Sequence, residues 1–342
     1  MEYDPTMEDL KARGEQQRSL HERAAATARH VFGQQVFVRA VVEVSNYCRE
    51  NCQYCGMRRD NRDLKRARAQ HDQLAELLIL HRPPAVTDVN IQSGEDPFAA
   101  REVVLPLVRT LSRETGLGIS VCLGTLNYEL YSQIKAAGAS VYIMKFETSD
   151  PQHYDENGAP GSLTERVAHI RWLAGNGWKV SSGFIVGLPG RDGKVLMENL
   201  LLASGLPVHG CSVSPFVPGE ATPFADAAPG DVETTLNCMA MMRLMRPDWV
   251  IPAVSALNLA QAGCGYRRGL RTGANMVTIN LTPRDLRHDY LIYKRDRFIM
   301  DEERVLAAIE AEGLTPSRQS LAAFYGNGSI QQAVGQPATA TD

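Results

Sequence analysis

Apolar and polar positions along this chain alternate between two periods. Short β-branched or apolar runs recur, each followed by a loop and then by a stretch with apolar residues at helical spacing. The runs are VFVRAVVEVS (36–45), VTDVNIQSG (86–94), GISVCLG (118–124), SVYIMKFET (140–148), KVSSGFIVGLPG (179–190), CSVSPFVP (211–218), WVIPAVSAL (249–257) and NMVTINLTP (275–283). Between them, 73–80, 103–115, 129–138, 164–177, 234–245 and 265–273 read as helices. Strand and helix patterns in alternation predict a parallel sheet with helices outside it. Three helices run into a glycine before the next strand, at Gly138, Gly177 and Gly273, as C-terminal capping requires.

Eight strand candidates predict an α/β fold of the (β/α)8 TIM-barrel type, complete or nearly so. An open doubly wound sheet is the runner-up, and the chain lacks the GxGxxG turn that such a sheet usually carries after its first strand. A charged, helix-prone extension fills residues 1–33, the barrel spans 34–315, and a tail follows at 316–342. The end of that tail is poor in large apolar residues and is expected to be disordered.

Composition narrows the class. The chain has 342 residues, 36 Lys and Arg against 39 Asp and Glu, and a net charge of −3. That balance favours neither nucleic acid nor an anionic membrane as partner. The stretch LKRARA (64–69) is locally basic and reads as a solvated helix face. No apolar run reaches the roughly 18–20 residues of a membrane span, and the N-terminus is too polar for a signal peptide. Seven cysteines, an odd number, suit a reducing cytoplasm better than a disulfide framework.

Chemistry concentrates in VSNYCRENCQYCGMRRDN (44–61), where Cys48, Cys52 and Cys55 form C-x3-C-x2-C directly after the first strand. A loop there lies at the C-terminal mouth of a parallel barrel, where active sites sit. Three thiolates on one short loop match a four-iron cluster that keeps one iron open to a chelating ligand. A structural zinc would want a fourth Cys or His nearby, and none lies in the loop. A redox CxxC normally opens a helix of a thioredoxin-like unit, which is not visible here. An iron–sulfur carrier without catalysis is the non-enzyme alternative.

This motif, with the aromatic Tyr54 before its last cysteine, resembles the signature of radical S-adenosylmethionine enzymes, and further similarities follow in order over about residues 15–315. QSGED (92–96) is similar to the family's Gly-Gly-Glu motif and implies that Ser93, Gly94 and Glu95 hold the methionine amino group. FETS (146–149) and TERVAHI (164–170) imply cofactor contacts by Glu147 and Arg166. IVGLPG (185–190) implies close backbone approach to the nucleoside at Gly187, and PFVP (215–218) implies adenine contact by Pro215 and Phe216. Within the biotin synthase-like group the residues resemble the branch of the iron-only hydrogenase maturase and methylornithine synthase. Biotin synthase's second-cluster ligands fall here on Ser120, Ser181 and near Ala253, which speaks against biotin synthase itself.

The resemblance implies a small substrate, amino-acid-like or sulfur-containing, in the barrel. Hydrogenase-cofactor maturation, amino-acid rearrangement and sulfur insertion are its alternative reactions. It also implies a flavodoxin- or ferredoxin-type electron donor. Lys145 would fix a substrate carboxylate, Ser255, Thr278, Tyr290 and Tyr293 would shape the pocket, and either tyrosine would relay hydrogen. Of the other cysteines, Cys122 shares a strand face with Ser120, Cys211 begins a strand, and Cys238 sits on an apolar helical stripe. A second cluster on Cys122, Cys211 and Cys264, or Cys264 alone as a substrate-facing thiol, are the non-structural readings of these.

Overall fold

The computed structural model describes residues 3–191, 193–295 and 298–326. Seven parallel strands make one curled sheet: β1 (Gln35–Ser45), β2 (Asp88–Ser93), β3 (Gly118–Cys122), β4 (Val141–Ile143), β5 (Lys179–Val186), β6 (Gly210–Pro215) and β7 (Met276–Asn280). Their order is β6-β5-β4-β3-β2-β1-β7, and a two-residue β8 (Thr315–Pro316) adds to the start of β1. The ladder is therefore open, seven strands curled, where an eight-stranded barrel complete or nearly so was expected. The run at 249–257 is the missing strand. It lies between β6 and β7 but makes only single bridges, Val250 to Gly210 and Pro252 to Met276. Pro252 has no N–H to give to a ladder, and the chain turns into a short helix at Ser255–Ala260.

Helices α1 (Met7–Lys11), α2 (Gly14–Phe32), α3 (His71–Leu80), α4 (Leu105–Glu114), α5 (Tyr128–Ala136), α6 (Leu163–Gly175), α7 (Gly193–Gly205), α8 (Val232–Met245), α9 (Gly265–Arg271), α10 (Glu302–Glu310) and α11 (Leu321–Gly326) are the principal helical segments. Caps set several of their starts: Asn127 accepts the Leu130 N–H at α5, and Ser162 and Glu165 form a reciprocal capping box at α6. Gly138, Gly177 and Gly273 all have positive φ, as their capping role demands. The N-terminal segment packs on α8, where the buried Asn237 amide donates to the Leu10 and Ala12 carbonyls at 3.0 Å each.

Each central strand is buried on both faces. On β1, Val38, Ala40, Val42 and Val44 join the apolar core beneath the helices, while Arg39, Val41 and Glu43 face the interior of the sheet's curl. The interior is thus polar where a filled barrel carries Val, Ile and Leu.

The N-terminal end of the curl is plugged. Helix α11 brings Phe324 against Phe32 and Phe37, and the Tyr325 hydroxyl donates to the His209 carbonyl at 3.2 Å. Asp88 fixes the plug by accepting the Leu321 N–H at 3.0 Å, and a Cβ at Gly118 would lie 2.0 Å from its Oδ1. The tail expected to be disordered lies, from 327 onward, outside the described residues.

Burial pushes the Asp88 carboxyl up to about 6, against the bonds from Thr87 and Leu321 that favour its charge. A carboxyl raised in the folded state holds its proton more tightly there than in the unfolded chain. Stability from this group is therefore present at acid pH and lost as pH rises from about 4 to about 6. The loss amounts to roughly 3 kcal/mol. Asp88→Asn keeps an acceptor for Leu321 and removes the titration, so its urea-unfolding free energy should gain on wild type by that order across the window. A wild-type–variant difference constant from pH 4 to 7 would exclude Asp88 as the titrating group.

Candidate active site

Residues 46–69 leave β1 as one long loop carrying the three thiols. It is held from within by two side chains. The Asn46 amide donates to the carbonyls of Lys65 and Asp289 at 2.8 Å each, and its oxygen accepts the Ala67 N–H at 2.7 Å. The Arg66 guanidinium donates to the carbonyls of Asn46, Met57, Arg58 and Asn61. The stretch 64–69 is therefore not a helix face, as its charge pattern suggested. It is extended loop, and its central arginine turns inward to gather carbonyls that no secondary structure satisfies. Gly56 is a glycine because Leu291 crosses it: a Cβ there would meet the Leu291 carbonyl oxygen at 2.6 Å.

The end of β2 is tied to the same loop. A Cβ on Gly94 would sit 2.2 Å from the Tyr47 carbonyl oxygen, so only glycine lets the two segments touch. The Glu95 N–H donates to the Cys48 sulfur at 3.3 Å, and the Arg49 N–H returns to the Glu95 carbonyl at 3.1 Å. The Glu95 carboxylate is buried. It accepts from Arg49 Nη2 and from the Thr125 N–H at 2.8 Å each, with Arg166 Nη2 3.9 Å away. Ser93 Oγ closes on the Gly94 carbonyl at 2.6 Å.

Burial raises the pKa of all three thiols, that of Cys55 to about 12, and for Cys52 the neighbouring Cys55 and Cys48 add to the effect. The Tyr54 hydroxyl, also raised by burial, lies beside the Cys52 thiol. Among the described residues, no three His, Cys, Asp or Glu side chains converge as ligands of a single ion would. A four-iron cluster takes each thiolate on a different iron and does not need such convergence.

Glu147 carries the clearest signs of a binding role. Among the described residues it is one of two non-glycine residues with positive φ, at 61°, a strained setting for a glutamate. Its Oε2 is buried without a hydrogen-bond partner among the described residues. Burial raises its pKa against the pull of Lys145 and Arg166. Arg166, fixed by the capped start of α6, donates from Nε to the Tyr154 hydroxyl at 3.2 Å. Burial works against the Lys145 ammonium, but Glu147 and Tyr293 beside it more than offset this and its pKa lies above the usual lysine value.

One cavity of about 380 Å³ connects these groups. Of the residues singled out in the sequence, Cys48, Cys52, Cys55, Tyr54, Ser93, Gly94, Glu95, Lys145, Glu147, Arg166, Pro215, Phe216, Ser255, Thr278, Tyr290 and Tyr293 all line it. Gly187 does not. It has φ of 82° and packs backbone to backbone, since a Cβ there would meet Gly230 Cα at 2.5 Å. The remaining cysteines are dispersed. Cys122, registered beside Gln92, lines the cavity, whereas Cys211 alternates with the cavity-facing Ser212 and joins the core. Cys264 is exposed on the loop before α9 and does not line the cavity. Neither a cluster shared by these three nor a substrate-facing Cys264 fits that arrangement.

The cavity floor holds residues the motifs did not reveal. Arg39 reaches the Thr278 hydroxyl with Nη2 at 3.4 Å, and its Nε is buried without a partner. Among the described residues Arg39 makes no salt bridge; burial lowers its pKa despite the charge of Asp88. The Glu43 carboxylate accepts from the Asn280 amide at 3.2 Å and from the Gln92 amide at 3.5 Å.

Comparison with known proteins decides the family. The Radical SAM superfamily profile matches residues 42–203. The [FeFe] hydrogenase maturase subunit HydE of Thermotoga maritima is 32% identical over 305 residues, 88% of this chain and 87% of that protein. The chain belongs to the radical SAM superfamily. The 3-methylornithine synthase of Methanosarcina acetivorans is 25% identical over 90% of this chain and 87% of its own length. A crystal structure of methylornithine synthase (PylB) superposes with a TM-score of 0.84 at 26% identity, covering 95% of this chain and 97% of that one.

As a radical SAM enzyme the chain implies a [4Fe–4S] cluster and S-adenosylmethionine, and the residues present fit both. The thiol loop offers three soft sulfur donors to one cavity. The orphaned Glu147 Oε2 and the close-packed backbone at Gly94 offer polar contacts beside them. No helix among the described residues is long and apolar enough to cross a membrane.

Proposed function

We propose that Cys48, Cys52 and Cys55 hold the cluster with one iron left open, and that Ser93–Glu95, Glu147 and Arg166 hold S-adenosylmethionine against it, with Tyr54, Pro215 and Phe216 forming the walls. When bound and reduced by an external one-electron donor of flavodoxin or ferredoxin type, these groups supply the family's chemistry, a 5′-deoxyadenosyl radical that takes hydrogen from substrate. The chain's residues do the rest. They orient the substrate and keep water away from the reacting carbon. Lys145 stays protonated between Glu147 and Tyr293 and opposes a substrate carboxylate. Arg39 presents its unpartnered Nε to an anionic group at the floor. Glu43, held by two amides, faces an ammonium group. Tyr290, Tyr293, Ser255 and Thr278 line the chamber, and either tyrosine would relay hydrogen. The substrate is accordingly small, zwitterionic and amino-acid-like.

A single observation supports this reading most directly: the thiol loop and the charged chamber open into one cavity, with an unpaired buried Glu147 oxygen between them. An electron carrier would have no use for the chamber. After anaerobic reconstitution, dithionite and S-adenosylmethionine should yield 5′-deoxyadenosine and methionine. Glu147→Gln should bind S-adenosylmethionine about 10-fold more weakly by calorimetry, with iron content unchanged. Wild-type affinity in that variant would remove Glu147 from the cofactor site.

A further inference from the structure

The basic segment that follows the cysteines is not used up by holding the loop together. Residues 58–68 carry six arginines and lysines against two aspartates, in a chain whose net charge is −3. Arg66 is turned inward, and Arg68 is tied to Asp96 with Nε 2.7 Å from Oδ2. Arg59, Arg62 and Lys65 are exposed. Among the described residues, Arg62 and Lys65 have no salt bridge, and Arg59 has only its neighbour Asp60 at 3.4 Å. These cations lie on the outer side of the thiol loop. The Arg59 N–H donates to the Glu50 carbonyl at 2.7 Å, and Asn51 bonds Asp60 at 2.8 Å, which places the segment against the stretch between Cys48 and Cys52.

Two exposed rings adjoin them. The Arg68 guanidinium lies 3.9 Å from the centre of the Tyr47 ring and 4.6 Å from that of Phe98. Phe98 is 59% exposed and Tyr47 38%, although Tyr47 immediately precedes a cluster cysteine. Arginine stacked with aromatics, bordered by exposed cations, is the composition of a contact surface that selects an acidic partner. Long-range attraction between opposite charges speeds such encounters.

We propose that this surface, Arg59, Arg62 and Lys65 beside the Tyr47–Arg68–Phe98 stack, docks an acidic one-electron carrier protein that reduces the cluster. The inference rests on the proposed cluster at Cys48, Cys52 and Cys55. In the step itself the carrier is oxidised by one electron and the cluster is reduced by one; no atoms are exchanged. Nucleic acid is the weaker fit, because Asp60 and Asp63 interrupt the cations and the rest of the chain is net acidic.

The test uses reconstituted holoenzyme and a reduced acidic flavodoxin, following cluster bleaching by anaerobic stopped flow. Combined Arg59→Glu, Arg62→Glu and Lys65→Glu should lower the second-order rate constant by about 30-fold at low ionic strength, the deficit shrinking as salt rises. Phe98→Ser should slow reduction at every salt concentration. Iron content and reduction by dithionite, which needs no docking, should stay at wild-type values in both. Flavodoxin reducing the triple variant at the wild-type rate overturns the proposal. So does a triple variant that loses affinity for transfer RNA while its flavodoxin kinetics hold. Wild-type protein with no dithionite-reducible cluster overturns the functional reading beneath it, and is distinguishable by that control.

Discussion

Cys52→Ala, purified and reconstituted without oxygen, should hold little iron and sulfide and lack the broad visible absorbance of a cluster. Release of 5′-deoxyadenosine from S-adenosylmethionine should fall by more than about 100-fold. The magnitude follows from position. Replacing residues that only support metal ligands costs about 10–100-fold, and Cys52 is proposed as a ligand itself. It is also the most confined of the three thiols, 9% exposed where Cys48 and Cys55 are half-buried, so neither water nor a neighbouring side chain can easily take its place. Cys264→Ala is the matched control. That thiol is exposed and outside the cavity, and its loss should leave cluster content and cleavage unchanged. A Cys52→Ala protein that cleaves S-adenosylmethionine like wild type would defeat the assignment.

The strands and helices were legible because each obeys one period. The seventh expected strand does not form, because its proline lies where a ladder N–H is needed: at Pro252 the ladder is reduced to a bridge. The polar chamber was hidden for a different reason. In VFVRAVVEVS the alternation of Arg39 and Glu43 with valines looks like a strand with one solvated face. Here the apolar face meets helices and the polar face meets an enclosed cavity. Periodicity reports which residues share a face, and says nothing of whether that face looks out to water or in to a chamber. The mouth of the site was easier to read, since its residues sit together in short loops at strand ends. The floor is assembled from strands far apart in sequence, so Arg39 meets Thr278 only once the sheet has curled.

The basic stretch at 64–69 shows the same limit and leads to the second large effect. Composition alone made Arg66 a surface charge, whereas its guanidinium serves four carbonyls of the thiol loop. Hydrogen bonds from a charged donor contribute roughly 1.5–3 kcal/mol apiece, and a carbonyl left buried and unmet costs a comparable amount. Arg66→Gln supplies at most two donors and a shorter reach, so the loop should lose roughly 3 kcal/mol or more of local stability. Little of this should appear in the melting temperature. The loop has no helix or strand between Asn46 and Ala67 and can open without the sheet, as segments of low local stability do. Amide exchange across 46–67 should therefore accelerate by at least about 100-fold, given a tenfold change for each 1.4 kcal/mol, and reconstituted iron content should drop with it. Arg66→Lys keeps the charge but replaces a planar fork with a single rotating ammonium, so it should recover only part of the protection. If Arg66→Gln instead lowered the melting temperature while exchange in the loop stayed at wild-type rates, Arg66 would be supporting the fold as a whole. Its four bonds would then not be what keeps Cys48, Cys52 and Cys55 in place to receive iron.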